Sequence, residues 1–182
     1  MGKFQNHFLI SMPHMTDVMF SKSLVFICEH DDSGAMGLIV NKAIPDVNVS
    51  EILKQTRLNL AAPPPPVYFG GPVNMNQGFI LHDVKYEIEG TVIVSKQLAL
   101  TSNPRIVDDI IKGSGPKNYR FTMGYAGWGE HQLEREFENG DWLVMPAQTG
   151  LIFDVPDEDK WQVAAKEFGI DIMDISGHTG FA

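Results

Sequence analysis

The chain has 182 residues, of which 43% are hydrophobic and 20% charged, and this balance excludes a disordered, collagen-like or coiled-coil protein. Its 23 acidic residues outnumber 14 basic ones and give a formal net charge of −9, which disfavours binding to nucleic acid or an anionic membrane. One cysteine excludes an intrachain disulfide and every metal site that needs several cysteines.

Short apolar runs bounded by turn residues predict a chain dominated by strands. In chain order, the predicted strands cover residues 8–12, 24–28, 36–40, 67–69, 78–81, 91–94, 119–125, 142–145 and 151–153. The turn Asp31-Asp32-Ser33-Gly34 predicts a hairpin between the second and third strands. Few polar residues alternate within these runs, so we expect most of the strands to be buried on both faces.

Capping signals predict a small number of short helices between the strands. The predicted helices begin at Asn48, begin after Asn103 and end at Gly113, cover 132–138, and cover about 158–168. They are too few for a regular succession of βαβ units, so an α+β fold is favoured over a doubly wound sheet. We expect the prolines of 63–66 to form a rigid surface loop within one domain.

No targeting segment or membrane span is predicted. The apolar stretch 8–10 is too short for the core of a signal peptide, and no run approaches the roughly 20 apolar residues that cross a bilayer. A lone thiol fits a reducing compartment. We therefore expect a full-length cytoplasmic protein that does not enter a membrane.

Cys28-Glu29-His30 is the first candidate for chemistry, because a thiol beside an imidazole is the minimum for a thiolate nucleophile. Strand alternation predicts that Cys28 and His30 share a face, but residues two apart lie about 6.5 Å from each other, too far for a reliable hydrogen bond. A cysteine that follows an apolar run is typical of a core. We predict a buried, unreactive thiol and no catalytic residue.

Metal and cofactor sites lack a convincing pattern. Glu29, His30, Asp31 and Asp32 are potential ligands, but the two aspartates are better explained as turn formers. No P-loop and no dinucleotide-binding fingerprint follows a strand. We therefore expect neither a metal nor a cofactor.

Two glycine-dense segments, 70–72 and 124–129, each follow a predicted strand. Glycine lets a ligand or another chain segment approach the backbone closely, and the pattern leaves both readings open. Tyr125 and Trp128 stand among these glycines, either as a stacking surface or as core residues. If both segments end strands of one curled sheet, they lie at the same rim.

Several separated motifs, taken in order, resemble the bacterial AlgH/YqgE family. They cover residues 6–13, 28–30, 34–41, 70–73, 78–82, 124–128, 132–134 and 139–143, and the similarity extends over nearly the whole chain. The resemblance implies one α+β domain over 1–182, with a bifurcated mixed sheet curled into a pseudo-barrel and short flanking helices. It implies no known reaction, although members of the family are often labelled transcriptional regulators.

The function expected from these observations is that of a non-enzymatic binding or regulatory protein. Its partner is expected to be a small molecule or another protein. The hypothetical binding site is built from motif positions, namely His30, Asn41, Gly70, Gly71, His82, Tyr125, Gly127 and Trp128. Two alternatives stay open: an enzyme with a Cys/His-containing site, and a DNA-binding transcriptional regulator, which the net charge disfavours.

Overall fold

The computed structural model describes residues 2–49 and 65–170, in which ten strands belong to one sheet. The strands are β1 (His7–Ser11), β2 (Leu24–Asp31), β3 (Gly34–Ile39), β4 (Ala43–Asn48), β5 (Pro66–Phe69), β6 (Val73–Asp83), β7 (Thr91–Ile93), β8 (Leu98–Thr101), β9 (Tyr119–Trp128) and β10 (Trp142–Pro146). The described helices are α1 (Arg105–Ile111), α2 (Gln132–Glu138), α3 (Thr149–Phe153) and α4 (Asp157–Glu167).

The sheet branches at β9, a central strand of 10 residues. The main path runs β10-β1-β2-β3-β9-β6-β8-β7, while β5 pairs with β9 in parallel and with β4 in antiparallel orientation. The start of β9 pairs with β5 from Phe121 to Met123, and its end pairs with β3 from Ala126 to Trp128. The branched sheet curls into a half-barrel, which confirms the predicted α+β fold.

Apolar side chains cover both faces of the central strands. On β1, Phe8 and Ile10 belong to one core cluster, and Leu9 belongs to a second cluster on the other face. The first cluster also holds Ala164 and Ala165 of α4, whereas the second contains Leu133 of α2. Burial on both faces explains why these strands read as continuous apolar runs.

The predicted hairpin is confirmed, because Asp31 of β2 pairs with Gly34 of β3 and the Asp31 carboxylate accepts a hydrogen bond from the Ser33 N–H. The helices predicted at 132–138, after Asn103 and near 158–168 are also present, to within one residue at each end. The predicted helix that begins at Asn48 lies, beyond its first residues, outside the described residues.

One predicted strand was wrong, and two strands were missed. Residues 151–153, predicted as a strand, lie in α3, where Leu151 and Ile152 pack into the first core cluster. An apolar run of three residues fits a buried helix turn as well as a strand, so periodicity does not separate them. The prediction also missed β4, none of whose residues is buried, and β8, which is only four residues long.

The proline run is only partly described. Pro66 is exposed and begins β5, so the run does not lie wholly in a loop as predicted. The first position of a strand tolerates proline, which lacks a backbone donor. Pro63 and Pro64 lie outside the described residues. Among the helices that the structure describes, none is long and apolar enough to cross a membrane.

Candidate functional site

A groove with a volume of about 690 Å³ opens where the β2–β3 hairpin, the start of β6 and the end of β9 meet. This volume lies within the roughly 300–1,000 Å³ that is typical of ligand sites. Four of the eight residues predicted to form a site line this groove, namely His30, Tyr125, Gly127 and Trp128. We refer to this feature as the groove.

The apolar part of the groove comes from the neighbouring strands. Met36, Phe79 and Leu100 contribute side chains, and the rings of Phe79 and Tyr125 meet edge to face with centroids 5.8 Å apart. Such a contact fixes the orientation of the tyrosine ring. The floor of the groove is therefore a continuation of the first core cluster, reached from solvent.

Polar side chains along the groove come from an irregularity that the sequence analysis missed. The pairing of β6 with β9 shifts between Val73 and Gly78, so residues 74–77 leave the regular register. Asn74 and Gln77 line the groove from this excursion, and their amides form no hydrogen bond with the part of the chain that the structure describes. The polar sequence between Val73 and Gly78 was the available signal.

The charged residues that line the groove are acidic. Glu29 and Asp31 contribute carboxylates from the hairpin, and no lysine or arginine belongs to the described lining. Their Coulomb potential disfavours an anionic ligand.

His30 is held at the edge of the groove by two hydrogen bonds. The Phe4 N–H donates to Nδ1 over 3.2 Å, so Nε2 carries the proton and donates to Glu134 Oε1 over 2.8 Å. Burial raises the pKa of Glu134, but its own backbone N–H and His30 outweigh this effect and leave that pKa below its usual range. Local spacing cannot reveal this pair, which lies 104 positions apart.

Cys28 and His30 do not share a face, contrary to the sequence-based expectation. The β2–β3 register shifts between Ile27 and Glu29, and the extra residue of this bulge reverses the alternation that follows. Cys28 therefore packs in the first core cluster, whereas the His30 ring lies 5.1 Å from the Phe4 ring of the second cluster.

The Cys28 thiol is fully buried, as predicted. Burial, with a smaller contribution from the Glu29 charge, raises its pKa far above the ordinary range. A thiol with a raised pKa supplies little thiolate for nucleophilic attack. Its lack of reactivity stays a prediction.

The two glycine-dense segments lie directly against each other. A Cβ atom on Gly70 would stand 2.3 Å from the Gly124 carbonyl oxygen, and one on Gly71 would stand 2.1 Å from the Tyr125 carbonyl carbon. Gly71 and Gly124 also have positive φ angles of 151° and 72°, which disfavour other residues. Gly70 and Gly71 thus allow close backbone packing beneath the end of β9 and do not line the groove.

His82 is fully buried where β6 pairs with β8, and it does not line the groove. Its Nδ1–H donates to the Asp83 carbonyl over 2.8 Å, and its Nε2 accepts from the Thr101 hydroxyl over 2.8 Å. Burial lowers the pKa of this imidazole, opposed by its bond to the Asp83 carbonyl and by the Asp83 charge.

Asn41 is also remote from the groove lining. Its side-chain oxygen accepts from the Leu24 N–H over 2.9 Å, and its amide donates to the Lys22 carbonyl over 2.9 Å. Asn41 therefore ties the end of β3 to the start of β2. Among the residues described, no group of three or more potential metal ligands converges.

The geometry defines an α+β protein with a branched half-barrel sheet and a groove at the end of its central strand. A family model described as AlgH-like matches residues 8–173 of this chain. The chain therefore belongs to the AlgH-like family, which confirms the resemblance seen in the sequence.

Relatives and solved structures agree with this assignment. A UPF0301 protein of Shewanella woodyi is 37% identical over 187 residues and covers 100% of both chains. One of Cupriavidus metallidurans is 41% identical over 180 residues, covering 97% of this chain and 94% of the relative. The solution structure of AlgH from Pseudomonas aeruginosa superposes with a TM-score of 0.79 at 33% identity, covering 98% and 96%.

A crystal structure of a protein from Corynebacterium diphtheriae shares the fold, with a TM-score of 0.74 at 21% identity. It covers 92% of this chain and 88% of that one. None of these names states an activity, so the comparisons establish the family and the fold.

Proposed function

We propose that this protein is a non-enzymatic binding protein whose groove holds an uncharged or cationic small molecule. The observation that carries the proposal is the convergence of His30, Tyr125, Gly127 and Trp128 on one cavity of ligand size. These residues are distant in sequence, yet one hairpin and one strand end bring them together.

The nature of the groove supports a neutral or cationic ligand. Its floor is apolar, the amides of Asn74 and Gln77 are available for hydrogen bonds, and the carboxylates of Glu29 and Asp31 repel anions. An apolar cavity with a few polar groups is typical of sites that bind small molecules.

The state of the potential catalytic groups argues against the enzyme alternative. Catalysis by Cys28 would need an accessible thiolate, whereas this thiol is buried and has a raised pKa. Both nitrogens of His30 are already engaged, by Phe4 and Glu134, so a general base there would first have to break a hydrogen bond.

Our proposal places the protein in the cytoplasm, as a single domain over residues 1–182. A regulatory role would be exerted through the bound molecule or a protein partner. The net charge of −9 disfavours direct contact with DNA.

A glycine pair offers a matched test of the groove. A Cβ on Gly127 would contact the Tyr125 ring at 3.3 Å and Val73 at 3.7 Å, so Gly127→Ala narrows the groove and requires only a small shift of that ring. A Cβ on Gly129 would meet nothing closer than 3.9 Å, and this residue does not line the groove. Gly129→Ala is therefore the control.

The experiment is a screen of neutral, cationic and anionic fragments followed by ¹H–¹⁵N chemical shifts. We expect neutral or cationic hits to perturb Met36, Tyr125 and Gly127, to weaken at least about fivefold in Gly127→Ala, and to persist in Gly129→Ala. A screen in which no hit maps to the groove, in which the groove hits are mainly anionic, or in which they ignore Gly127→Ala would contradict the proposal.

A further inference from the structure

A second cavity, separate from the groove except at Gly127 and Trp128, lies on the other side of the β9 end. Its volume is about 470 Å³, and its walls include the rings of Phe20, Trp128 and Trp142. We call this cavity the aromatic pocket. It lies beside the second core cluster, whereas the groove adjoins the first.

Two of the three ring pairs in the aromatic pocket meet at steep angles, whereas Phe20 and Trp128 are tilted by 46° with centroids 6.5 Å apart. The centroids of Phe20 and Trp142 lie 5.9 Å apart at 87°, and those of Trp128 and Trp142 lie 6.1 Å apart at 77°. Rings inclined to one another border the same space from different sides, and a ring face attracts a cation, as in the aromatic cages that recognise quaternary ammonium groups. Trp128 and Trp142 are only 7% and 3% exposed, so packing holds their rings in place.

One carboxylate fixes both tryptophans. Glu136 Oε2 accepts hydrogen bonds from the indole N–H of Trp128 over 2.8 Å and from that of Trp142 over 2.9 Å. Glu136 Oε1 accepts from the Gln132 amide over 2.8 Å. An indole that donates to an anion is polarised, and its ring attracts a cation more strongly.

The charge of Glu136 has no cationic partner within the described structure, because all three of its donors are neutral. Asp17 and Asp141 add two carboxylates to the lining, which contains no lysine or arginine. The basic groups that face these carboxylates are His14, 3.6 Å from Asp141 on the lining, and Lys42, whose charge acts on Asp17. The negative charge of Glu136 thus lies next to the tryptophan rings that line the aromatic pocket.

The hydrogen bonding of Glu136 also restricts the kind of cation. A carboxylate accepts about four hydrogen bonds, and three of these positions are occupied. A primary ammonium needs acceptors for its own N–H groups, whereas a quaternary ammonium needs only charge and aromatic contact. The other two lining carboxylates also have partners already, since Asp17 accepts from the N–H groups of Met19 and Phe20 and Asp141 lies beside His14. The cavity therefore favours a cation that donates no hydrogen bond.

From this geometry we propose that the aromatic pocket binds a small quaternary ammonium compound, with Phe20, Trp128 and Trp142 as its walls and Glu136 as its counter-charge. The site is distinct from the proposed ligand groove and does not depend on it. The volume of the pocket matches a small molecule rather than an extended partner surface.

The test compares choline with 3,3-dimethylbutan-1-ol, its neutral isostere, in ¹H–¹⁵N spectra of the three indole groups. Trp161 is a reference within the protein, because its indole donates to the Ser11 carbonyl outside the pocket. We expect choline to shift the Trp128 and Trp142 signals saturably below about 50 mM, with Trp161 unchanged and the isostere at least about tenfold weaker.

Two variants separate the contribution of the Glu136 charge from that of the Phe20 ring. Glu136→Gln removes the counter-charge and Glu138→Gln, at the exposed end of the same helix, removes an equal charge away from the pocket. Phe20→Leu removes one wall without touching Glu136, and the unchanged Trp161 signal reports an intact fold. We expect choline affinity to fall about tenfold in Glu136→Gln and in Phe20→Leu, and to stay within about twofold in Glu138→Gln.

Several results would overturn this proposal. They are a lack of response to choline, an equal response to the neutral isostere, a shift of Trp161 alongside the other two, or an equal loss in Glu138→Gln. Tighter binding of a trimethyl-lysine peptide than of choline, by more than about tenfold, would assign the pocket to a protein partner instead.

Discussion

Two helix-borne carboxylates each accept hydrogen bonds from side chains of the sheet but have opposite surroundings. Asp157, the first residue of α4, accepts hydrogen bonds from the Lys160 ammonium and, over 2.9 Å, from the Tyr68 hydroxyl. Glu136 of α2 accepts only from neutral donors and borders the aromatic pocket. The charge of one carboxylate is neutralised at close range, whereas that of the other is left to act on a cavity.

The difference separates a structural network from a candidate binding site. Lys160 is 0% exposed and also donates to the Val40 carbonyl over 3.1 Å, so its charge is sealed inside the protein. Neither Lys160 nor Asp157 lines the groove or the aromatic pocket. A buried charge that is paired and sealed fixes local structure, but an unpaired charge beside an open pocket can attract a ligand.

The largest effect is expected from Asp157→Ala. This change leaves Lys160 charged, buried and without its carboxylate, and it removes the acceptor of Tyr68. We expect a loss of about 3 kcal/mol in the free energy of unfolding, measured by urea denaturation. Asp159→Ala, at an exposed position of the same helix turn, should change it by less than about 0.5 kcal/mol. Equal losses in both variants would refute the structural role of the network.

A smaller loss of stability is expected from Glu136→Gln. An amide cannot accept from Gln132 and both indoles at once, so at least one donor loses its partner. We expect a loss of about 1–2 kcal/mol in thermal or urea unfolding. Glu138→Gln is the control and should match the wild type. If Glu136→Gln is also unchanged, the hydrogen-bond cluster does not hold the tryptophans.

The buried network of Asp157, Lys160 and Tyr68 should also make the free energy of unfolding vary with pH in the alkaline range. Burial lowers the pKa of Lys160, partly offset by its hydrogen bond to Asp157, so between that value and about 10.4 the unfolded chain binds more protons. Stability attributable to Lys160 therefore rises with pH across this window, by at most about 1.4 kcal/mol per pH unit.

Comparison with Lys160→Met isolates this dependence, because the lowered pKa of Lys42 affects both proteins equally. We expect Lys160→Met to lie within about 1 kcal/mol of the wild type near neutral pH and to lack the rise. Identical pH profiles of urea unfolding for the two proteins would show that burial of Lys160 has no energetic consequence.

The smallest effect is expected when binding to DNA is measured. Both cavities of the β9 end are lined by carboxylates without lysine or arginine in the described chain, and the net charge is −9. Fluorescence anisotropy with DNA duplexes at physiological salt should show no sequence-dependent complex in the usual range of about 10⁻⁸–10⁻¹¹ M. Such a complex would restore the DNA-binding alternative.

The sequence predicted features that depend on local pattern. Continuous apolar runs identified most central strands, because both faces of the sheet are buried, and the Asp31–Gly34 turn identified the hairpin. It did not reveal the bulge at Cys28, since register depends on the partner strand. Residues 151–153 were misread because three apolar residues do not define a period.

Half of the predicted site residues line the groove, and the reason lies in what each motif does. Gly70 and Gly71 are needed for backbone packing, and Asn41 and His82 are needed for internal hydrogen bonds. Motif residues that stabilise the fold look the same in a sequence as those that contact a ligand. The partnership of Glu136 with two tryptophans depends on tertiary packing, which no spacing rule anticipates.

The central claim, that the groove at the β9 end is the ligand site, is tested most directly by soaking crystals with neutral and cationic fragments. We predict that fragment density appears between the β2–β3 hairpin and residues 74–77, in contact with Met36 and Tyr125. Density confined to lattice contacts or to other surfaces, with the groove free of fragments throughout, would contradict the account.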